Sequence, residues 1–135
     1  MAGLDCVRYG WSSLSWLFFV AGAGMIGVAT GIGTWAMLEN EHFEKFVRIQ
    51  KDRNHRVVTT GPYQVVRHPG YLGGILGALA GPLLLGSAWS FIPACLIVVL
   101  LVWRTSREDR VLREELEGYT LYTKQTPHRL IPYVW

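Results

Sequence analysis

Charge is missing from two long stretches of this chain: residues 9–38 and residues 71–103 contain no Asp, Glu, Lys or Arg. That absence excludes ordinary surface helices, which keep one polar face, and meets what a hydrocarbon core demands of the segments crossing it. Both stretches end in dense charge, beginning at Glu39 and at Arg104. Cysteine is scarce too. Cys6 and Cys95 are too few and too isolated for a disulfide framework or a zinc site, so both are read as inert thiols and no metal is expected. Linkers, repeats and low-complexity tracts are also lacking, which leaves the 135 residues as one domain.

What is present fits a membrane. Apolar residues make up 50% of the chain and the mean hydropathy is +0.23. Six Trp and six Tyr lie largely near the ends of the apolar runs, where Trp11, Trp16, Trp35, Tyr71, Trp89 and Trp103 suit interfacial anchoring. The net charge of +3 is unevenly spread: Arg8 is the only cation before Lys45, and the others fall within residues 39–67 and 104–129. Cation-rich flanks stay cytoplasmic, so these two segments share that side. Residues 71–103 must then enter and leave by one face, as a helical hairpin turning near Gly86-Ser87. Each arm of about 16 residues spans roughly 24 Å, short of the ~30 Å core unless flanking residues help or the bilayer thins. A cleaved signal peptide is the alternative for the N-terminus, but the apolar run continues to Leu38, past the usual length of such segments.

Gly22-Ala23-Gly24-Met25-Ile26-Gly27 matches a dinucleotide-binding pattern, with Glu41 and Glu44 downstream. The context opposes it, since no strand precedes it and the sequence stays apolar on every face to Leu38. Glycines here suit close helix approach: Gly27 and Gly31 on the first helix, and Gly73, Gly77 and Gly81 on the hairpin. The same small-residue faces suit pairing between copies of the chain as a homo-oligomer. Between the apolar runs, Phe43, Phe46, Val47 and Ile49 alternate with Glu44, Lys45, Arg48 and Lys51, the pattern of a short interfacial helix.

Val57-Val58-Thr59-Thr60-Gly61-Pro62-Tyr63 reads as an extended piece ending in a turn. Pro69 then fits the first turn of the hairpin's opening helix, leaving orphan N–H groups near Gly70 and Tyr71 able to hold a carboxylate. After Trp103 the helix continues into water, with Arg104, Arg107, Glu108, Arg110, Arg113, Glu114 and Glu115 around the apolar Val111, Leu112 and Leu116, and stops at Gly118. Arg104 and Glu108 share one helix face at the membrane boundary. Either they form a surface ion pair worth a few tenths of a kcal/mol, or they meet a ligand there.

In order along the chain stand His55-Arg56-Val57-Val58-Thr59-Thr60-Gly61-Pro62-Tyr63, Arg67-His68-Pro69-Gly70-Tyr71, an uncharged hairpin, Arg104 to Glu108-Asp109, Leu112, Gly118-Tyr119, Tyr122 and Arg129-Leu130-Ile131-Pro132. This combination resembles the isoprenylcysteine carboxyl methyltransferase family, whose relatives are the phospholipid N-methyltransferases, over roughly residues 35–135. The resemblance implies an integral-membrane enzyme that uses S-adenosylmethionine bound on the cytoplasmic side. It assigns cofactor-binding positions to His55, Arg56, Val57, Val58, Tyr63, His68, Pro69, Gly70, Tyr71 and Glu108, with Gln50 as a further position whose spacing to His55 departs from the family. Arg104 matches the position that orients the acceptor carboxylate. The acid pair Glu108-Asp109 replaces the paired glutamates often seen, and relatives commonly carry further membrane helices before the matched region.

The expected fold is therefore all-α: a transmembrane helix over residues 11–38, a cytosolic cofactor-binding segment over 39–70 with an interfacial part, a transmembrane hairpin over 71–103, and a cytosolic helical extension over 104–135. The expected partners are membrane lipids and a lipophilic or lipidated substrate, not nucleic acid. Two alternatives stand beside methyl transfer. One is an NADPH-dependent membrane reductase of the steroid and sterol type, in which Asn is expected at the Gly70 position and Glu near Gly74. The other is a non-catalytic membrane interaction protein.

The cation asymmetry fixes a testable orientation. With Ser12→Cys, Asn54→Cys and Lys124→Cys placed singly in a cysteine-free background, an impermeant maleimide should label only position 12 in intact cells. Labelling at 54 or 124 before permeabilisation contradicts the orientation.

Overall fold

A computed structural model of the chain describes residues 1–12, 14–40 and 57–135. The expected interfacial helix around residues 43–51, and the candidate residues Gln50, His55 and Arg56, lie outside the described residues. Regular structure among the described residues is entirely helical. A seven-residue π-helix, Gly3–Tyr9, comes first. Four α-helices follow: α1 Trp16–Glu39, α2 Pro69–Leu85, α3 Phe91–Glu115 and α4 Tyr119–Gln125, with a 3-10 turn at Gly61–Gln64 before α2. The extended reading of residues 57–63 therefore ends in that 3-10 turn, and no strand forms. Met1–Gly31 and Gly73–Leu101 make one compact unit, and Ile32–Leu72 with Val102–Trp135 make a second.

Among the described helices, α1 is the one long and apolar enough to cross a membrane. Trp16, Leu17, Phe18, Phe19 and Val20 on its first turns are all about half exposed or more, as a helix bathed in hydrocarbon would be. It begins at Trp16, not at residue 11, because the preceding residues fold onto the connection between α2 and α3. Trp11 stacks on Tyr9 and tilts against Trp89. Ser12 donates to Asp5 and accepts the N–H of Ala88 at 3.0 Å.

That connection is built by the end of α2. Gly86 takes φ 66, with its N–H on Leu83 O and the Ser87 N–H on Pro82 O, the two bonds that close a helix through a left-handed residue. Ser87 is fully buried; its hydroxyl donates to Asp5 Oδ2 at 2.6 Å and accepts the N–H of Ser90, capping the turn before α3. Nothing in the local pattern of residues 3–9 announced the contacts of Asp5 with Ser87 and Trp89, which lie more than eighty residues away.

The tightest described approaches in this unit fall on Gly22 and Gly74, which the spacing had not named. A Cβ at Gly22 would sit 2.9 Å from Leu83 Cβ and 3.0 Å from the Leu84 amide nitrogen, and one at Gly74 would sit 3.3 Å from Leu101. Gly77 faces Ile26 and Ala29 at ordinary contact distance, whereas Gly27, Gly31 and Gly81 have no described atom within 4 Å of such a Cβ.

The second unit has an aromatic core of Ala36, Tyr63, Leu116, Tyr119 and Tyr122, with Val57, Val58 and Leu112 packed against it. Helix α4 has only seven residues, too short to persist alone. Burial of Tyr119 and Tyr122, worth roughly 1.5–3 kcal/mol for a large side chain, holds it down. Gly118, at φ 81, makes the turn between α3 and α4. Gly61 enters the 3-10 turn at φ 57, where a Cβ would lie 2.9 Å from the Glu39 carboxyl and 3.0 Å from Trp35 Nε1.

These contacts separate two glycines of one helix. Gly22→Ala forces backbone or Cβ atoms apart and should lower the unfolding temperature of the purified protein, a cost of about 1–3 kcal/mol for overpacking. Gly27→Ala should leave it unchanged or raise it. Equal effects at the two positions would contradict the assigned contact.

Candidate functional site

The candidate residues that the structure describes gather in the second unit around the start of α2. His68 precedes the helix and its carbonyl accepts the Leu72 N–H at 3.2 Å, the first backbone bond into it. Pro69, with no N–H to satisfy, occupies the first helical position. The N–H groups of Gly70 and Tyr71 stand ahead of that first bond, in the place where helix starts hold anions. The strand of chain leading in is fixed by two consecutive backbone bonds, Arg67 N–H to His128 O at 2.9 Å and His68 N–H to Arg129 O at 3.0 Å.

One buried carboxylate ties these pieces together. Asp109, on α3, is fully buried and accepts Arg67 Nε on Oδ1 at 2.8 Å, Tyr119 Oη on Oδ1 at 3.0 Å and Arg129 Nε on Oδ2 at 3.0 Å, and forms an ion pair with Arg113, whose Nε lies 3.1 Å from Oδ2. His68 Nε2 lies 3.5 Å from Oδ1 and 3.4 Å from the Tyr119 hydroxyl. The Arg67 guanidinium is completed by the carbonyls of Thr126 at 2.8 Å and Pro127 at 2.7 Å. Burial opposes ionisation of Asp109, but the hydrogen bonds from His68 and Arg67 and the Arg67 charge outweigh it and hold the carboxyl well below its ordinary range. Burial, then the Asp109 charge, pushes the Tyr119 phenol far up, so it remains a donor.

The neighbouring acid has a different environment. Glu108 is about a quarter exposed; its Oε2 accepts the Tyr71 hydroxyl at 2.5 Å and its Oε1 lies 4.0 Å from His68 Nδ1. The Arg104 guanidinium sits 5.7 Å from the centre of the Tyr71 ring, one turn before Glu108 on α3. His68 thus stands between two carboxylates: buried Asp109 behind it, accessible Glu108 in front. An accessible carboxylate, a phenol face, an arginine and helix-start N–H groups together can receive a ligand that carries an amino group, a carboxylate and an aromatic ring.

The expected residues divide accordingly. His68, Pro69, Gly70, Tyr71, Arg104 and Glu108 come together. Tyr63 belongs to the core instead: it is 7% exposed, its hydroxyl donates to Ala36 O and accepts Asn40 Nδ2, and its carbonyl accepts Tyr122 Oη at 2.6 Å. Burial, only partly offset by the Asn40 hydrogen bond, pushes its pKa up and keeps it neutral. Val57 and Val58 pack half-buried against the same core.

A profile of phospholipid methyltransferases matches residues 17–117. The chain belongs to that family. Among curated relatives, this phospholipid methyltransferase family member is 27% identical to a protein-S-isoprenylcysteine O-methyltransferase of Schizosaccharomyces pombe, over 92% of this chain and 55% of the relative. It is 30% identical to the enzyme of the same name from Rattus norvegicus, over 87% of this chain and 43% of the relative. A Delta(14)-sterol reductase of Mus musculus is 34% identical over 59% of this chain and 20% of its own length. The chain spans about half the length of the first two relatives.

Sequence reasoning placed Glu108 and Arg104 but left Asp109, Arg113 and Tyr119 out of the site. The Asp109/Arg113 spacing of four on one helix was a visible signal. The partners Arg67, Tyr119 and Arg129 come from three other segments.

Asp109 makes the second unit acid-sensitive. Its folded pKa lies below the unfolded value near 3.9, so its stabilisation is fully present above about pH 4 and is lost as pH falls towards the depressed value. Asp109→Asn leaves Arg67 buried without its counter-charge, at a cost of about 3–5 kcal/mol. Thermal unfolding of the purified protein should show a large fall for the variant at pH 7 and a shallower loss between pH 5 and 3 than wild type. Parallel acid profiles would contradict the assignment.

Proposed function

We propose that this chain is an integral-membrane, S-adenosylmethionine-dependent methyltransferase acting on a lipophilic acceptor, most simply a carboxylate, with the cofactor site facing the cytoplasm. The observation that carries the reading is the pairing of an accessible Glu108 with Tyr71 at the start of α2, with Arg104 one turn away on the same helix as Glu108. Family membership and the O-methyltransferase names of two relatives support it.

The residues fit the cofactor's chemistry. Glu108 keeps an oxygen for an ammonium group, the Gly70 and Tyr71 N–H groups suit a carboxylate, and the Tyr71 face suits an adenine or a cation. Bound S-adenosylmethionine supplies an electrophilic methyl group. An acceptor carboxylate, with a pKa near 4, is already ionised at neutral pH and needs no general base. Arg104 orients that carboxylate. Tyr71, clamped by Glu108, fixes the wall beside it, and positioning of this kind supplies several kcal/mol in such reactions. His68 is held by its backbone and by Asp109, which suits a placing role. Residues 11–38 and 71–103 supply the membrane segments, and residues 39–70 and 104–135 the cytosolic ones.

The reductase reading is weaker, because Gly70 and Gly74 stand where that class is expected to carry Asn and Glu. Binding separates the possibilities. Calorimetric titration of purified protein should show S-adenosylmethionine bound and NADPH not bound. Glu108→Ala should weaken cofactor binding by about 1.5–3 kcal/mol, the worth of a charge-assisted hydrogen bond, while Arg104→Ala preserves binding and lowers turnover. Tight NADPH binding would favour the reductase. Binding of neither ligand would favour a non-catalytic membrane protein, and unchanged affinity in Glu108→Ala would reduce that acid to a surface ion-pair partner.

A further inference from the structure

The C-terminal segment borders an open cavity of about 300 Å³, lined by Arg67, Arg113, His128, Arg129, Tyr133 and Trp135 among others, and not by Tyr71, Arg104 or Glu108. Its lining is rich in cations. Three guanidinium groups converge through Nε on the single Asp109 carboxylate. Arg67 is sealed, with a side chain 3% exposed and its terminal nitrogens on Asp109, Thr126 and Pro127. Arg113 and Arg129 are open, with side chains 43% and 28% exposed. Each meets Asp109 through Nε rather than through its terminal nitrogens. Arg129 is further held over the Trp135 ring at 4.9 Å.

The rim carries strain. Tyr133 adopts φ 63, a left-handed conformation that costs a residue with a Cβ about 1–2 kcal/mol, while its ring is 93% exposed. Its N–H is given to His128 Nδ1 at 3.1 Å. Strain retained beside an exposed aromatic ring is a feature of recognition sites. Two guanidinium forks held beside one another suit the oxygens of a phosphate group.

We propose that this cavity binds a phosphate monoester or diphosphate group through Arg113 and Arg129, with Tyr133 and Trp135 against the moiety that bears it. The site is distinct from the methyl-donor site and does not depend on that reading. A soluble organic phosphate and the headgroup of an anionic lipid share this chemistry. Two probes distinguish them: inorganic pyrophosphate and short-chain phosphatidic acid, each titrated calorimetrically into the purified full chain in a neutral detergent at low ionic strength. At least one should bind, pyrophosphate if the natural ligand is soluble, phosphatidic acid alone if it is a lipid. Arg113→Gln and Arg129→Gln should each weaken that binding roughly tenfold or more. Arg110→Gln, which removes an exposed charge from the same helix outside the cavity lining, should not. Since Arg113 and Arg129 both meet Asp109, the unfolding temperature of each variant is the check on folding, and the more exposed Arg113 is the decisive one. Failure of wild type to bind either probe, or an equal loss in Arg110→Gln, overturns the proposal.

Discussion

The Asp109 carboxylate is the interaction on which the second unit depends. It draws together the segment before α2 through Arg67, helix α3 through Arg113, helix α4 through Tyr119 and the C-terminal segment through Arg129. A buried carboxylate without partners would be prohibitively costly. With this many donors it becomes a fastening, and the same bonds that satisfy it set where His68 and the start of α2 lie.

Adjacent residues on α3 thus divide the work. Successive side chains on a helix point about 100° apart, so Asp109 turns into the core and Glu108 towards an accessible edge. Asp109 is occupied by the protein's own cations, while Glu108 is restrained by a phenol and keeps capacity for a ligand. Tyr71 then has two neighbours of opposite charge, Glu108 at its hydroxyl and Arg104 near its ring. A ligand with both an ammonium and a carboxylate meets complementary groups at such an edge.

Much of this was legible where the governing physics is local. Pro69 marked the start of α2, Gly86 the turn after it and Gly118 the end of α3, because each relies on backbone conformation available to that residue type. The continuation of α3 past Trp103 followed from its charged positions around an apolar line. What escaped depends on partners far along the chain. The Asp5 contacts with Ser87 and Trp89 were invisible to any local pattern, and they explain why α1 starts at Trp16. Tyr63 carried the family's motif, yet its hydroxyl and carbonyl are spent inside the core. Glycine spacing named Gly27 and Gly31, while the close contact fell on Gly22, since spacing alone does not say which face meets a neighbour.

Methyl transfer to a carboxylate is the central functional claim, and the linkage formed distinguishes it from transfer to an amine. Methyl esters hydrolyse in base and release volatile methanol; N-methyl groups do not. Purified protein incubated with S-adenosylmethionine labelled in its methyl group and with a lipid extract, followed by base treatment and collection of the vapour, should yield label in the volatile fraction. Label retained in a base-stable lipid amine would contradict the claim.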